Sequence, residues 1–319
     1  MTTDQQILEL LNKPGKAILS LHRRPDGDSL GSNLALYNVL KAKGHDVTIT
    51  SLDNVPDFLM FLDNTDQVKV QPPSQVRWHD YEIFWALDMA AQDMMGDVIS
   101  FPKELTIVNI DHHKTNTNWG TINHVKPNAV SCASVLYEMF KQQNIEFGKD
   151  TAFALLVGLL TDTGFFKYIN EGAPLTMAAD LLDTYKLDYQ SIIFNIMSQL
   201  NIEDIVFMGE ALSHMKIDVE KKAAILPIPF TSEVNYEIIA DKTHLLTSYL
   251  QSINGTEFGI LIIEKTKGQF RIQFRSRNRD YDVSALAQKF NGGGHKNAAG
   301  ASVEAENIDE AIKKILALV

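Results

Sequence analysis

Cysteine is almost missing from this chain: Cys132 stands alone among 319 residues. No internal disulfide can form, which fits a reducing compartment and points to the cytoplasm. Positive charge is short too, with 29 Lys and Arg against 40 Asp and Glu and a net charge of -11. That balance excludes a broad basic sheath for long duplex nucleic acid, which needs many Lys and Arg contacts. It leaves room for a small anion held by a local basic patch. Long apolar runs are missing as well. The longest, Phe153 to Leu160, is too short to span a membrane. Met1 to Leu11 has acidic residues and no basic start, unlike a secretory signal. Neither repeats nor low-complexity segments occur. What remains is ordinary globular composition, 45% hydrophobic, over a length that suggests about two domains.

The stretch from His22 to Ser32 organises the rest. Ala17 to Leu21 reads as a short buried strand. Leu34, Leu36, Val39 and Leu40 read as the buried face of a helix that ends near Gly44, a C-cap. The stretch is therefore the loop at the carboxyl end of a strand, where open α/β sheets bind ligands. It carries His22, Asp26 and Asp28. Pro25 and Gly27 bend it, and Gly31 allows close backbone approach. Alone, it could equally be a turn plus a helix cap.

Other strands repeat the pattern. Val47 to Leu52 is a β-branched strand, and His45 before it reads as a surface residue at a turn. Tyr81 to Leu87 ends at Asp88. Leu105 to Ile110 ends at Asp111, His112 and His113. In a parallel sheet these ends line one edge, so their side chains can meet. Ser131 to Phe140 reads as a helix. A second, Thr151 to Leu160 with Asp150 as its cap, runs into Asp162, an acid unfavourably set at a helix C-terminus.

His22, Asp26, Asp28, Asp88, His112 and Asp162 offer oxygen and imidazole donors without a thiolate. Such donors suit Mn2+ or Mg2+, or Co2+ or Fe2+, better than a structural zinc. Six ligands suit two ions about 4 Å apart that share a carboxylate, an arrangement used for phosphoryl hydrolysis. Farther on, Arg271, Gln273, Arg275, Arg277 and Arg279 alternate along a predicted strand, with Ile272 and Phe274 on its other face. A solvated face would look the same, but the cluster is unusual in so acidic a chain, and Arg pairs with phosphate through parallel hydrogen bonds. Gly292, Gly293, Gly294 and His295 read as a loop whose exposed N–H groups could cradle a phosphate.

Taken together, these motifs resemble the DHH phosphoesterases. The matching residues are His22, Asp26, Asp28, Gly31 and Ser32, then Asp88, then Asp111, His112 and His113, then Asp162, in order. Arg275 to Arg277 and Gly292 to Gly300 are similar to the family's associated C-terminal domain. Nearly the whole chain is covered, and no motif position departs. Length and motif order look most like the branch of bacterial nanoRNases and pAp phosphatases.

The resemblance implies an α/β fold: an N-terminal parallel-sheet DHH domain over 1–187, a helical connector over 188–215, and a smaller α/β domain over 216–319, with a cleft between the two domains. It implies that His22, Asp26 and Asp88 hold one Mn2+, and that Asp28, Asp88, His112 and Asp162 hold the second. His113 would contact the scissile phosphate and assist as general acid, with Asp111 orienting the histidine pair from behind. Arg275, Ser276, Arg277 and Gly292 to His295 would grip the terminal nucleotide. The implied reaction is hydrolysis of short single-stranded RNA or DNA, pApA included, to mononucleotides, and of pAp to AMP and phosphate, by two-metal activation of water.

Alternatives are a cyclic-dinucleotide phosphodiesterase, a manganese-dependent inorganic pyrophosphatase, a long-strand exonuclease and a silent nucleotide sensor. The first would carry sensory or membrane segments, the second needs no nucleotide grip, the third needs a more basic channel, and the last needs no filled ligand set. No membrane partner is expected. The family and the apolar helices around Ile192 to Leu200 are compatible with a homodimer. His79, His124, His214 and His244 match no motif and read as surface or structural. Cys132 reads as a buried small side chain.

Overall fold

The computed structural model describes residues 2–197, 200–229, 246–278 and 280–319, without the His295 side chain. Arg279, His244 and the imidazole of His295 therefore lie outside the described residues, as do residues 198 and 199. The chain divides into two compact units, Met1–Gln199 and Leu200–Val319.

The first unit is built on a six-stranded sheet in the order β3-β2-β1-β4-β5-β6, parallel throughout. Its strands are β1 Lys16–Ser20, β2 Asp46–Ser51, β3 Val68–Val70, β4 Ile83–Leu87, β5 Thr106–Asp111 and β6 Ile122–Val125. The central strands are apolar on both faces because both are covered. Ala17, Leu19, Ile83, Trp85 and Leu87 join one core with the helices. Ile18, Phe84 and Ala86 join a second core with Trp78, Met95 and Leu105. The strand order reverses between β1 and β4, and in such sheets the crevice at that point, outside the carboxyl ends of the strands, takes the ligand.

Helices α1 Thr3–Asn12, α2 Gly27–Ala42, α3 Cys132–Gln142, α4 Lys149–Asp162, α5 Ala173–Tyr185 and α6 Tyr189–Met197 complete this unit. The apolar run at 153–160 is the interior of α4. Its cap is Gly148; Asp150 sits inside the first turn, where it faces the positive end of the helix. The expected surface position of His45 is also corrected. It is buried, and its Nε2 lies 3.0 Å from the carbonyl of Leu11, because the end of α1 folds over the turn.

The second unit holds a mixed sheet in the order β11-β12-β10-β9-β8-β7. Its strands are β7 Lys216–Asp218, β8 Ala223–Ile228, β9 Phe258–Thr266, β10 Gln269–Ser276, β11 Gly293–His295 and β12 Ala298–Glu304. One face buries Phe270, Ile272 and Phe274 against the helices Val283–Gln288 and Ile308–Ala317. The other buries Leu261 and Ile263 with Met208 and Ala211 of α7, Ile202–Ser213. Of the two helices in the expected connector, α6 thus packs into the first unit through Ile192 and α7 into the second.

The glycine segment is not the loop that its composition suggests. Gly293 to His295 pairs antiparallel with Ala298 to Gly300 as one arm of a tight hairpin. The close fit explains two of the glycines: a Cβ on Gly292 would lie 2.2 Å from the carbonyl oxygen of Gly300, and Gly294 has a φ of 142°, whereas a Cβ on Gly293 would meet nothing within 4 Å. Among the described residues, no helix is long and apolar enough to cross a membrane.

Candidate metal centre

Backbone geometry at three strand ends delivers the side chains. After β1 the chain passes through His22 to Asp26, the N-cap of α2, whose Oδ1 accepts from the amides of Asp28 (3.1 Å) and Ser29 (2.9 Å). The helix-cap reading of this loop thus holds for Asp26, with Oδ1 also turned toward His22 at 3.7 Å. After β4, Asp88 adopts a left-handed φ of 58°, uncommon for a non-glycine residue and frequent at functional sites. Asp111 is the last residue of β5, followed directly by His112 and His113.

These groups converge. His22 Nε2 lies 3.4 Å from Asp88 Oδ2 and 3.7 Å from Asp26 Oδ1. His112 Nε2 lies 3.4 Å from Asp88 Oδ1, 3.5 Å from Asp162 Oδ2 and 3.8 Å from Asp28 Oδ2. Asp88 therefore turns one oxygen to each imidazole. Its Oδ1 is buried and has no hydrogen-bond partner. A buried carboxylate oxygen left so is costly unless a cation meets it.

The imidazoles are oriented from behind. The Nδ1–H of His22 donates to the carbonyl of Arg23 at 3.0 Å, and that of His112 faces the carbonyl of Ala129 at 3.3 Å. A carbonyl only accepts, so Nε2 is left to bind a metal, the usual arrangement for a ligating histidine. Three overlapping donor sets result: His22 with Asp26 and Asp88, Asp28 with His112 and Asp162, and Asp88 with Asp111, His112 and His113. Separations of 3.4 to 3.8 Å suit ligands sharing one ion, whose bonds are roughly 2.0–2.2 Å. Nitrogen and oxygen donors with no sulfur fit Mn2+ or Mg2+.

Electrostatics point the same way. Burial opposes a charge on His22, but Asp26 and Asp88 outweigh it and raise the imidazole to about 11. Burial likewise opposes a charge on His112, and Asp88, Asp28 and Asp162 carry it up to about 10. Burial works against the Asp88 carboxylate too, yet the two imidazoles hold it well below the usual range. Asp162 is pushed up to about 7 by burial and by Asp88 and Asp26. Asp28 is raised by burial and by the same neighbours. It is buried beside the start of α3, where the amides of Cys132 and Ala133 donate to its two oxygens at 2.6 and 2.9 Å. Protons thus balance a surplus of carboxylates, and a divalent ion binding here displaces them.

His113 lies in the same cluster, its Nδ1 3.6 Å from Asp88 Oδ1, but its hydrogen bond goes elsewhere. Its Nδ1–H donates to Asp111 Oδ1 at 2.7 Å, and that bond, stronger than the opposing burial, raises its pKa. Asp111 is fully buried and also accepts from Asn116 Nδ2 at 2.5 Å. Asn116 in turn donates to Asn109 Oδ1 at 2.9 Å. Neither asparagine is legible as a site residue in the sequence. The spacing of three from His113 is the only signal, and it becomes informative once β5 and the following turn are folded.

The nucleotide grip read from the sequence lies on the second unit. Arg275 is half-buried, with Nη1 donating to the carbonyl of Phe274 at 3.0 Å and Nη2 to Gln273 Oε1 at 3.3 Å. Ser276 Oγ donates to the carbonyl of Asn278. β10 ends at Ser276, so Arg277 lies beyond the strand, exposed, its Nη2 donating to Asn254 Oδ1 at 2.8 Å. Cys132 is buried, and burial pushes its thiol up, away from nucleophilic use.

Histidines and carboxylates that could hold metal ions at the switch point of a parallel sheet, in a chain that continues into a second α/β unit, define a class. Residues 16–159 match the DHH family, N-terminal domain, and residues 229–319 match the DHHA1 domain. The chain thus carries a DHH-family N-terminal domain followed by a DHHA1 domain. Among its relatives are proteins called bifunctional oligoribonuclease and PAP phosphatase NrnA. That of Thermus thermophilus is 29% identical over 96% of this chain and 89% of that protein. That of Bacillus subtilis is 25% identical over 90% of this chain and 88% of that protein. The fold is also that of an exopolyphosphatase-related protein from Bacteroides fragilis, with a TM-score of 0.89 and 22% identity, covering 99% of this chain and 95% of that one.

Proposed function

We propose that this chain is a metal-dependent hydrolase that cleaves short single-stranded oligonucleotides, pApA among them, to mononucleotides and removes phosphate from pAp to leave AMP. The observation that carries the reading is that two donor sets, one of His22, Asp26 and Asp88 and one of Asp28, His112 and Asp162, lie on either side of Asp88, which turns Oδ2 to His22 and Oδ1 to His112. His22, Asp26 and Asp88 hold one ion, and Asp28, Asp88, His112 and Asp162 hold the other, most fittingly Mn2+. Bound there, the ions supply an activated water and neutralise charge on the phosphoryl group.

The chain's own residues do the rest. Asp28 is pinned by two backbone amides and keeps one wall of the site rigid. His113, held at Nδ1 by Asp111, presents Nε2 to the leaving oxygen as general acid. Its raised pKa keeps it protonated to a higher pH than a free imidazole. Arg275, Ser276, Arg277 and the hairpin arm Gly292 to His295 bind the terminal nucleotide. The names of the relatives support these substrates, and the net charge of -11 argues against long strands as the main ones. The proposed domains are 1–187 and 216–319, joined through 188–215. The proposed compartment is the cytoplasm, in keeping with one free cysteine. Exposed apolar side chains such as Phe194, Met197 and Ile202 support self-association.

The test is turnover with Mn2+ on a 5′-phosphorylated dinucleotide, pAp, a long single strand and pyrophosphate, with a chelator control. Fast cleavage of the first two, weak cleavage of the long strand and none of pyrophosphate is the expected result. Preference for pyrophosphate would overturn the nucleotide reading. His112→Ala is expected to abolish turnover with the fold intact, and normal turnover would sink the two-ion assignment.

A further inference from the structure

Between the ligands His22 and Asp26 sits Arg24, whose φ is 56°. Left-handed backbone is uncommon for a side chain of this size, and the residue before a proline is pushed toward extended backbone as well. Arg24 precedes Pro25, so both preferences are violated at one position in the middle of the metal-binding loop. Extended backbone advances about 3.3 Å per residue, so a straight run would carry Asp26 roughly 13 Å from His22. Instead His22 Nε2 and Asp26 Oδ1 are 3.7 Å apart. The left-handed residue turns the chain back.

Two neighbours hold it there. On one side the amide of Arg23 donates to the carbonyl of Met94 at 2.6 Å. On the other the amide of Arg24 itself donates to Asp53 Oδ2 at 2.7 Å. Asp53 is anchored in turn, since its own carbonyl accepts from Ser51 Oγ at 2.7 Å. Ser51 is the last residue of β2, which pairs with β1 as far as Thr50 and with β3 through Ser51 itself. The carboxylate thus reaches the loop from the bend just after β2, tied back to the last residue of that strand.

We infer that Asp53 is a positioning residue for the metal centre: its Oδ2 holds the Arg24 amide so that His22 and Asp26 face Asp88 together. The inference rests on the metal reading above. It makes Asp53 necessary only because residue 24 has a side chain; a glycine there adopts the same φ without penalty.

The experiment compares wild type with D53A, D53N, R24G and R24G/D53A, each stripped of metal and titrated with Mn2+ while free ion is followed by electron paramagnetic resonance. Wild type binds two ions per chain. D53A binds one of them about tenfold more weakly, equivalent to ~1.4 kcal/mol. D53N, whose Oδ1 still accepts from the amide, stays close to wild type. R24G/D53A stays close to R24G. Unchanged binding in D53A, binding in D53N as weak as in D53A, or a full D53A loss in the R24G background would each overturn the inference. If wild type binds no Mn2+, the metal reading itself fails. The strut is then judged by hydrogen exchange in residues 22–26 of the metal-free chain. Protection that falls in D53A and survives in D53N supports it, and protection unchanged in D53A overturns it.

Discussion

Helices α2 and α4 cross with their backbones in contact, and Gly31→Ala tests what that contact does. A Cβ at residue 31 would lie 2.4 Å from the carbonyl oxygen of Ala154 and 3.1 Å from the amide of Gly158. Ordinary van der Waals contact starts near 3.4 Å, so the helices must part by about 1 Å (3.4 minus 2.4). The opposing atom is backbone and cannot rotate away. Overpacking of this kind costs about 1–3 kcal/mol, and the gain in helix propensity from Gly to Ala returns about 0.5–1. We expect a net loss of about 2 kcal/mol, near the upper end. The same movement strikes the metal centre, because α2 carries Asp28 and α4 carries Asp162. Both now lie within 3.5 to 3.8 Å of His112 Nε2, a spread that one ion can bridge. Another ångström takes them out of common reach. The assays are a urea transition for stability and Mn2+ titration for stoichiometry, with the expected fall from two ions to one. A variant as stable as wild type that still binds two ions would refute the argument.

Other perturbations separate stability from chemistry. Arg275→Ala is expected to raise KM for dinucleotides about tenfold with little change in kcat, as for loss of a charge-assisted contact; an unchanged KM would put the grip elsewhere. Asn116→Ala leaves a buried oxygen of Asp111 without its donor, at a cost of about 1–3 kcal/mol in the urea transition, and should lower kcat more than it raises KM. Gly209→Ala, in α7 with nothing within 4 Å of the added Cβ, should stabilise by about 0.5–1 kcal/mol; destabilisation would mean that the space is filled. Burial holds the pKa of His124 below its ordinary value of 6.5, and the attraction of Asp4 at 2.9 Å offsets this only in part. The unfolded chain therefore takes up this proton first as pH falls, so stability should decline below about pH 6.5 and that decline should be weaker in His124→Asn.

Much of the fold was legible because it depends on local pattern. The apolar runs of β1, β4 and β5, each ending in His or Asp, announce buried parallel strands with chemistry at one edge. The elements that escaped notice have no such pattern. β3 and β6 are short edge strands whose identity comes from their neighbours. β11 and the first half of β12 are mostly glycine and alanine, and only the pairing of β12 with β10 and of β11 with β12 makes them strands. His45 sits at the turn that the sequence marks, but its burial depends on Leu11, 34 residues away.

The site divides in the same way. The sequence by itself determined which donors exist: imidazoles and carboxylates without thiolate, an Arg-rich strand, one inert cysteine. These follow from residue type, which no folding changes. Tertiary structure alone decided that Asp88 would offer one oxygen to each of two imidazoles, that Asn116 would hold Asp111, and that Asp53 would reach the amide of Arg24 from the bend after β2. Each of these joins side chains or amides through backbone that must first be bent to a given φ or paired in a given register. Such constraints are satisfied by the whole sheet at once, and no short window of sequence contains them.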